Sequence, residues 1–471
     1  MKKAAANHDG IDRPLSAQAR SINGIWTTRW TFIFAATGSA VGLGNIWKFP
    51  YVAGENGGGA FVLVYLVCIA LIGIPILMAE VLLGRRGRMS PVYSMLHLAK
   101  ESGVSRTWSG IAWSGILAGV LILSFYSVVA GWALHYIQLA LTGQLQAISA
   151  SDSGALFAGL LDDRSSLVVW HSLFMLLTLL IVSAGVVKGL GRAVSCLMPV
   201  LFILLLILLV YSAVVGEFAQ GWRFLFAFDL ESLRWSSVLD ALGHAFFTLS
   251  LGMGAMMVYG AYMPEQKAPL SKMVVAVAGL DTLVALVAGL IIFPIVFAHP
   301  VLQPGDGPGL LFVSLPVAFG NMLGGQLFAV LFFMLIAIAA LSSAISIIEP
   351  AVAWLVERNQ LPRYVAVAVL GGLVWLLGFG TILSFNDWSA YTFQGMTFFD
   401  GLDFLTANIM LPLGGFFIAL FVGWRMRRVA LIDELGNIDS GYYKWWLCIL
   451  RFVSPVLVMV VFTLSLWDKF S

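Results

Sequence analysis

The 471-residue chain is 60% hydrophobic and only 11% charged, with a formal net charge of +2. Soluble domains carry about 25% charged residues, so the composition sets this chain apart from them and points to a polytopic membrane protein. Its basic residues lie in loops between apolar stretches, which leaves no footprint for nucleic acid. The three cysteines, Cys68, Cys196 and Cys448, fall inside apolar stretches, so no disulfide framework is implied.

Residues 1–29 are polar, and the first apolar segment is too long for the core of a signal peptide, so no cleavable leader is expected. Apolar runs of about 20 residues or more predict eleven spans, near 31–54, 61–83, 109–141, 167–186, 193–215, 236–262, 272–299, 322–356, 363–384, 396–424 and 445–467. Between spans seven and eight, Pro304, Pro308 and Pro316 surround a short apolar stretch, which predicts a re-entrant or capping loop. One set of loops holds most of the Lys and Arg residues, among them Arg85, Arg86, Arg88, Lys100, Arg425, Arg427 and Arg428. The opposite set holds Arg164, Arg223, Arg234 and Lys469. The positive-inside rule then puts the N-terminus in the cytoplasm and the C-terminus outside. The absence of any Asn-x-Ser/Thr acceptor fits a bacterial inner membrane.

Span one is interrupted near its middle by Gly38-Ser39-Ala40-Val41-Gly42-Leu43-Gly44-Asn45. Each interior glycine costs roughly 1 kcal/mol relative to Ala, and hydrocarbon tolerates freed backbone groups only where protein or a water-filled cavity satisfies them. Close helix packing accounts for the glycines but not for Asn45 and Lys48 beside them, which point to a substrate or ion site. Span six repeats the pattern in Phe247-Thr248-Leu249-Ser250-Leu251-Gly252-Met253-Gly254. Spans one and six each open a block of five. Five is odd, so the second block is inverted, and paired breaks of this kind mark the binding site of secondary transporters. The fold class is therefore an all-α polytopic membrane protein, an inverted five-helix repeat with discontinuous helices 1 and 6 plus an eleventh span. Its divisions are a cytoplasmic segment over 1–29, repeats over 30–216 and 217–426, and the last span with a short outer C-terminus over 427–471.

A broken helix offers N–H groups to a carboxylate at one end and carbonyls to a cation at the other. Two such breaks suit a zwitterionic amino acid together with a hard cation, for which Asn45, Thr248, Ser342 and Ser343 supply oxygen ligands. Asp281, with apolar chain on both sides, is either an ion ligand, a charge near the cytoplasmic mouth or a buried protonated acid. His97, His135, His171 and His299 lack ligand spacing. No nucleophile–base pair or phosphate loop appears, so an enzyme is not expected.

At these residues the chain resembles the neurotransmitter:sodium symporter family, including its bacterial leucine-transporter branch. The resemblance rests on Gly38 to Tyr51, on Glu55-Asn56-Gly57-Gly58-Gly59-Ala60-Phe61, on Ile74-Pro75 with Glu80, on Phe246 to Gly252, and on Ser342-Ser343 followed by Glu349-Pro350. It implies sodium-coupled symport of an amino acid through two sodium ions, with no organic cofactor. The first ion would be held by the Ala40 carbonyl, Asn45, Thr248, Asp281 and the substrate carboxylate. The second would be held by carbonyls of Gly38, Val41 and Ala339 with the hydroxyls of Ser342 and Ser343. The substrate carboxylate would meet Leu43, Gly44 and Tyr126, and its side chain Ile122, Phe247, Ser250, Met253, Ser343 and Ile347. Ala40 and Thr248 would also border the substrate. An outer gate would pair Lys48 with Asp403, closed over by Tyr126 and Phe247. An inner gate would use Arg20, Trp26 and Glu357.

Four departures from the family pattern stand out. Lys48 replaces an Arg, Asn23 replaces the inner-gate Arg three residues before Trp26, His244 replaces a Gln, and Asp281 aligns only with a one-residue gap. A fixed carboxylate at Asp281 implies independence from chloride. The apolar lining by Ile122, Met253 and Ile347 implies a neutral, apolar L-amino acid. Two other readings remain on the same residues. One is a proton-coupled carrier using His244 or Asp281, and the other is a non-transporting amino-acid sensor, to which Asn23 would point.

Overall fold

The computed structural model describes residue 26 and residues 28–228, 234–264, 269–299, 302–304, 307–436 and 441–470. Among these residues there is no strand, only one isolated bridge between Phe393 and Met396. Among the described residues, nine helices are long and apolar enough to cross a membrane: Gly59–Gly87, Arg106–Leu141, Arg164–Ser183, Val186–Val215, Leu270–Phe297, Gly325–Asn359, Arg363–Phe385, Phe398–Arg425 and Gly441–Trp467. They correspond to spans two to five and seven to eleven. The remaining two spans are broken helices, each half too short to cross alone.

In span one, the helix Arg29–Ala40 stops where Val41 turns extended, and the chain resumes as a π-helical turn, Gly44–Lys48, leading into Phe49–Glu55. In span six, the helices Trp235–Thr248 and Ala255–Ala261 are separated by a six-residue turn. Ser250, Gly252 and Gly254 there all have positive φ, at 53°, 78° and 82°. A Cβ at Gly252 would also lie 2.6 Å from the Leu411 carbonyl oxygen. Glycine is the residue that accepts both constraints.

Packing follows the expected repeat. Span three packs on span eight, its counterpart five spans later. Span one packs on span seven as span six packs on span two, and span five meets span eight as span ten meets span three. The two breaks lie inside this arrangement, with the eleventh span outside it against spans two, six and ten.

The expected span boundaries agree with the helices to within a few residues, except that span five starts seven residues earlier, with the π-helical turn Val186–Gly191. Four helices between spans were not expected: Pro91–Glu101, Ala150–Asp162, Phe218–Phe226 and Arg428–Leu435. Each is shorter than a span, so a search for long apolar runs passes over it. The proline-rich segment before span eight forms a 3₁₀ turn, Gly307–Leu310, and a short helix, Ser314–Asn321. Tyr136 of span three donates to the Phe312 carbonyl at 2.7 Å and fixes this segment against the bundle.

Candidate substrate and ion site

Backbone groups released at the two breaks have nowhere to go but the protein around them. In span one, the Gly42 N–H donates to Asn45 Oδ1 at 3.1 Å and the Leu43 N–H to the Tyr126 hydroxyl at 3.2 Å. The Ser39 carbonyl accepts from two hydroxyls, Ser250 at 2.9 Å and Ser343 at 2.7 Å. Span one is thus tied to spans three, six and eight at its break. In span six, the Gly252 and Gly254 amides donate to the two carboxylate oxygens of Glu80, at 2.9 and 3.0 Å.

Asp281, fully buried on span seven, gathers the polar side chains of the breaks. Asn45 Nδ2 donates to its carboxylate at 2.7 Å and to its backbone carbonyl at 3.0 Å. Thr248 donates to the same carboxylate at 3.0 Å, and the Tyr65 hydroxyl lies 3.5 Å from it. Spans one, two and six thus converge on one buried carboxyl of span seven, which places it inside the bundle rather than at the cytoplasmic mouth.

Beside this cluster lies a small, largely enclosed cavity with about 10 Å³ of accessible space. Of the residues expected around the substrate, Ala40, Leu43, Gly44, Ile122, Tyr126, Phe247, Ser250, Met253, Ser343 and Ile347 all line it. Thr248 does not, because its hydroxyl turns to Asp281. Gly42, not among the expected residues, does line it. A Cβ at Gly42 would sit 2.7 Å from Ser343 Oγ and 2.8 Å from the Tyr126 hydroxyl, so the backbone approaches there as closely as only glycine permits. The lining combines the Tyr126, Ser250 and Ser343 hydroxyls and the backbone of Leu43 and Gly44 with the apolar side chains of Ile122, Phe247, Met253 and Ile347.

A second oxygen cluster lies where spans one and eight touch. Ser342 Oγ is 2.9 Å from the Ala339 carbonyl and 3.4 Å from the Val41 carbonyl. Gly38 packs beside it, its would-be Cβ 3.5 Å from Ser342 Cβ. The first cluster offers the Asp281 carboxyl and Thr248 hydroxyl oxygens, while Asn45 turns its NH₂ to Asp281 and its oxygen to the Gly42 amide. The second offers hydroxyl and carbonyl oxygens, but Ser343, expected among them, turns its hydroxyl to the Ser39 carbonyl instead. Oxygen is the ligand type that hard cations take.

At one end of the site Lys48 and Asp403 form an ion pair of 3.3 Å, and the Lys48 ammonium lies 5.1 Å from the centre of the Phe247 ring. At the other end Trp26 is buried edge-on against Tyr259 and Tyr262, at 5.0 and 5.8 Å between ring centres. Glu357 accepts the Ser90 amide at 2.8 Å, which closes the end of span two against span eight. Arg20 and Asn23 lie outside the described residues. His244 is buried against Phe49, Phe61 and Tyr65, and its ring is 5.3 Å from the Tyr65 ring.

Sequence reasoning marked Glu80 and Glu349 as motif residues without giving them work. Glu80 anchors the unwound turn of span six, and Glu349 joins the Arg363 guanidinium to the Tyr262 hydroxyl, the latter at 2.7 Å. The signal available was a carboxylate in mid-span with apolar neighbours on both sides, the same signal that singled out Asp281. Ser39 and Tyr65 carried no comparable signal, since one contributes a backbone oxygen and the other is an ordinary aromatic in an apolar run.

The description "Sodium:neurotransmitter symporter family" belongs to the family model that matches residues 23–153 and 161–470. The crystal structure of MhsT in complex with L-phenylalanine superposes with a TM-score of 0.87 at 44% identity, covering 93% of this chain and 99% of that one. A sodium-dependent transporter of Bacillus subtilis, YhdH, is 37% identical over 93% of this chain and 96% of its own length. The human sodium- and chloride-dependent GABA transporter 2 is 24% identical over 94% of this chain and 80% of its own. On the extent of these matches and the two broken helices they span, the chain belongs to the sodium:neurotransmitter symporter family, whose members are transporters rather than enzymes.

Proposed function

We propose that the protein carries a neutral, apolar L-amino acid into the cell together with sodium, by alternating access around the cavity between the two broken helices. The observation that carries this reading is the cavity's polarity. Uncharged hydroxyls and unwound backbone line it together with the apolar side chains of Ile122, Phe247, Met253 and Ile347. The substrate carboxylate would lie at Leu43, Gly44 and Tyr126, where the helix N-terminal end of the span-one break favours negative charge. No acidic or basic side chain lines the cavity to meet a charged substrate side chain. The L-phenylalanine bound in the MhsT structure supports an amino acid of this class.

Two ions would occupy the oxygen clusters. Ala40, Asn45, Thr248 and Asp281 would hold one beside the substrate carboxylate, and Gly38, Val41, Ala339, Ser342 and Ser343 the other. Asp281 would supply the fixed negative charge that makes chloride unnecessary. Lys48 with Asp403, under Tyr126 and Phe247, would close the outer side, and Trp26 with Glu357 the inner side. The repeats over 30–216 and 217–426 would rock against each other, with 427–471 outside them. The location is a bacterial inner membrane, the N-terminus cytoplasmic and the C-terminus outside.

The test is a binding screen of the twenty amino acids on purified protein, in sodium and in potassium buffer. Substrate and ions that share one site must raise each other's affinity reciprocally. Equal affinity in the two buffers would sink the reading, as would preference for a charged amino acid.

A further inference from the structure

A second, larger cavity lies where span nine passes into span ten, away from the substrate site. It is an open groove with about 560 Å³ of accessible space, in the size range of small-molecule sites. Its walls are the rings of Trp388, Tyr391, Phe393 and Phe398, with Gly401 and Leu405 of span ten. No charged side chain lines it. Phe393 pairs with Met396 across a tight turn in which Gln394 and Gly395 have positive φ, so its ring is held on a formed hairpin. Tyr391 and Phe393 are nonetheless 76% and 75% exposed.

The cavity continues the lipid-facing surface of the bundle. On span nine, Val369, Leu373 and Leu376 are exposed. Counting on from Val369 by four, seven and eleven residues gives Leu373, Leu376 and Gly380, one stripe of the helix. Gly380 is where the stripe meets the cavity wall, because a Cβ there would lie 2.5 Å from the Phe398 ring. On span ten, Leu405 is exposed at the cavity edge. An apolar stripe thus runs along the bilayer-facing side of span nine and ends under a set of aromatic rings. Aromatic rings of this kind concentrate at the membrane–water boundary.

We propose that this cavity binds one acyl chain of a phospholipid from the leaflet on the Lys48–Asp403 side. The chain enters along the Val369–Leu376 stripe and lies beneath the rings of Tyr391 and Phe393. The site is separate from the ion pair. Gly401 and Phe398 precede Asp403 by two and five residues, roughly 140–160° around the helix from it. A ligand on their face does not reach the Lys48 side.

The experiment uses the full-length protein in phosphatidylcholine nanodiscs doped with a phosphatidylcholine bearing a diazirine on one acyl chain. After irradiation, label is mapped by peptide mass spectrometry. The expected result is labelling of the 388–405 region several-fold above that of the 203–210 region, whose Ile203, Leu206 and Val210 are exposed on an ordinary lipid-facing helix. Equal labelling of the two regions overturns the proposal without any variant. Gly401→Phe should fill the cavity, since a side chain starting there meets no atom within 4 Å. It should reduce label at 388–405 several-fold, leave label at 203–210 unchanged and leave amino-acid binding intact. Unchanged label at 388–405 in a variant that still binds amino acid overturns the proposal. So does cross-linking of Phe393→Cys between two copies with little lipid label in the wild type, because the occupant would then be a second copy of the chain.

Discussion

The carboxylate of Glu80 accepts the amide of Gly252 at 2.9 Å, across the interface between continuous span two and broken span six. Its other oxygen takes the Gly254 amide, so one side chain satisfies two of the donors that unwinding releases. Hydrogen bonds to a charged acceptor contribute about 1.5–3 kcal/mol each. Glu80→Gln replaces one acceptor oxygen with an NH₂ group facing an N–H. Thermal unfolding in detergent should shift down by several degrees, and amino-acid affinity should fall with it because Ser250 and Met253 lie in the same turn. Unchanged melting and binding would mean that water serves these amides equally well.

The spans and the two breaks were legible in the residues because hydrocarbon punishes exceptions, whereas the cavity lining followed only from the family resemblance. A glycine pair, an Asn or an Asp in an apolar run needs a reason, and Gly42, Asn45 and Asp281 announced themselves that way. Residues whose function lies in backbone atoms or in direction did not. Gly42 was noticed as a helix breaker, whereas its place in the cavity wall depends on how closely Tyr126 and Ser343 approach it. Thr248 was assigned to both ion and substrate, and only its rotamer turns it to Asp281 and away from the cavity. The short helices between spans, such as Pro91–Glu101, lack the apolar length that makes a span conspicuous.

Gly42→Ala is the smallest change that tests the cavity. The added methyl would sit under 3 Å from Ser343 Oγ, Ser343 Cβ and the Tyr126 hydroxyl. The Ser343 backbone belongs to a packed helix, so the Tyr126 hydroxyl must leave the Leu43 amide or span one must shift. Amino-acid affinity should drop by at least an order of magnitude while helix content by circular dichroism stays the same. Wild-type affinity would show that the cavity at Gly42 is not where substrate binds.

Asp281→Asn keeps the size of the side chain and removes its charge. Asn45 and Thr248 share one carboxylate oxygen, which the amide oxygen can replace, but the other oxygen, faced by the Tyr65 and Thr248 hydroxyls, would become an NH₂ group. Sodium affinity should fall, and amino-acid uptake into proteoliposomes should either be lost or become dependent on added chloride. A fully active variant that ignores chloride would exclude Asp281 from the ion site.

The pair of Lys48 and Asp403 is partly solvated, with side chains 18% and 33% exposed, so its coupling should be near the exposed-pair figure of about 1 kcal/mol. Lys48 also lies over the Phe247 ring, a contact worth ~0.5–1 kcal/mol at such sites. Closure over the cavity therefore draws on two weak contacts from one ammonium. Lys48→Arg retains both and should transport, with a slower opening if the guanidinium grips Asp403 through two bonds. Lys48→Ala loses both and should lower the transport rate more than it lowers amino-acid affinity, since no atom of Lys48 lines the cavity. Asp403→Asn loses only the ion pair and should fall between wild type and Lys48→Ala. Exchanging the charges, with Lys48→Asp and Asp403→Lys together, should restore part of the rate lost by either single change. If uptake by the exchanged protein is no better than by the worse single variant, the two residues do not act as partners, and Lys48 works through Phe247 alone.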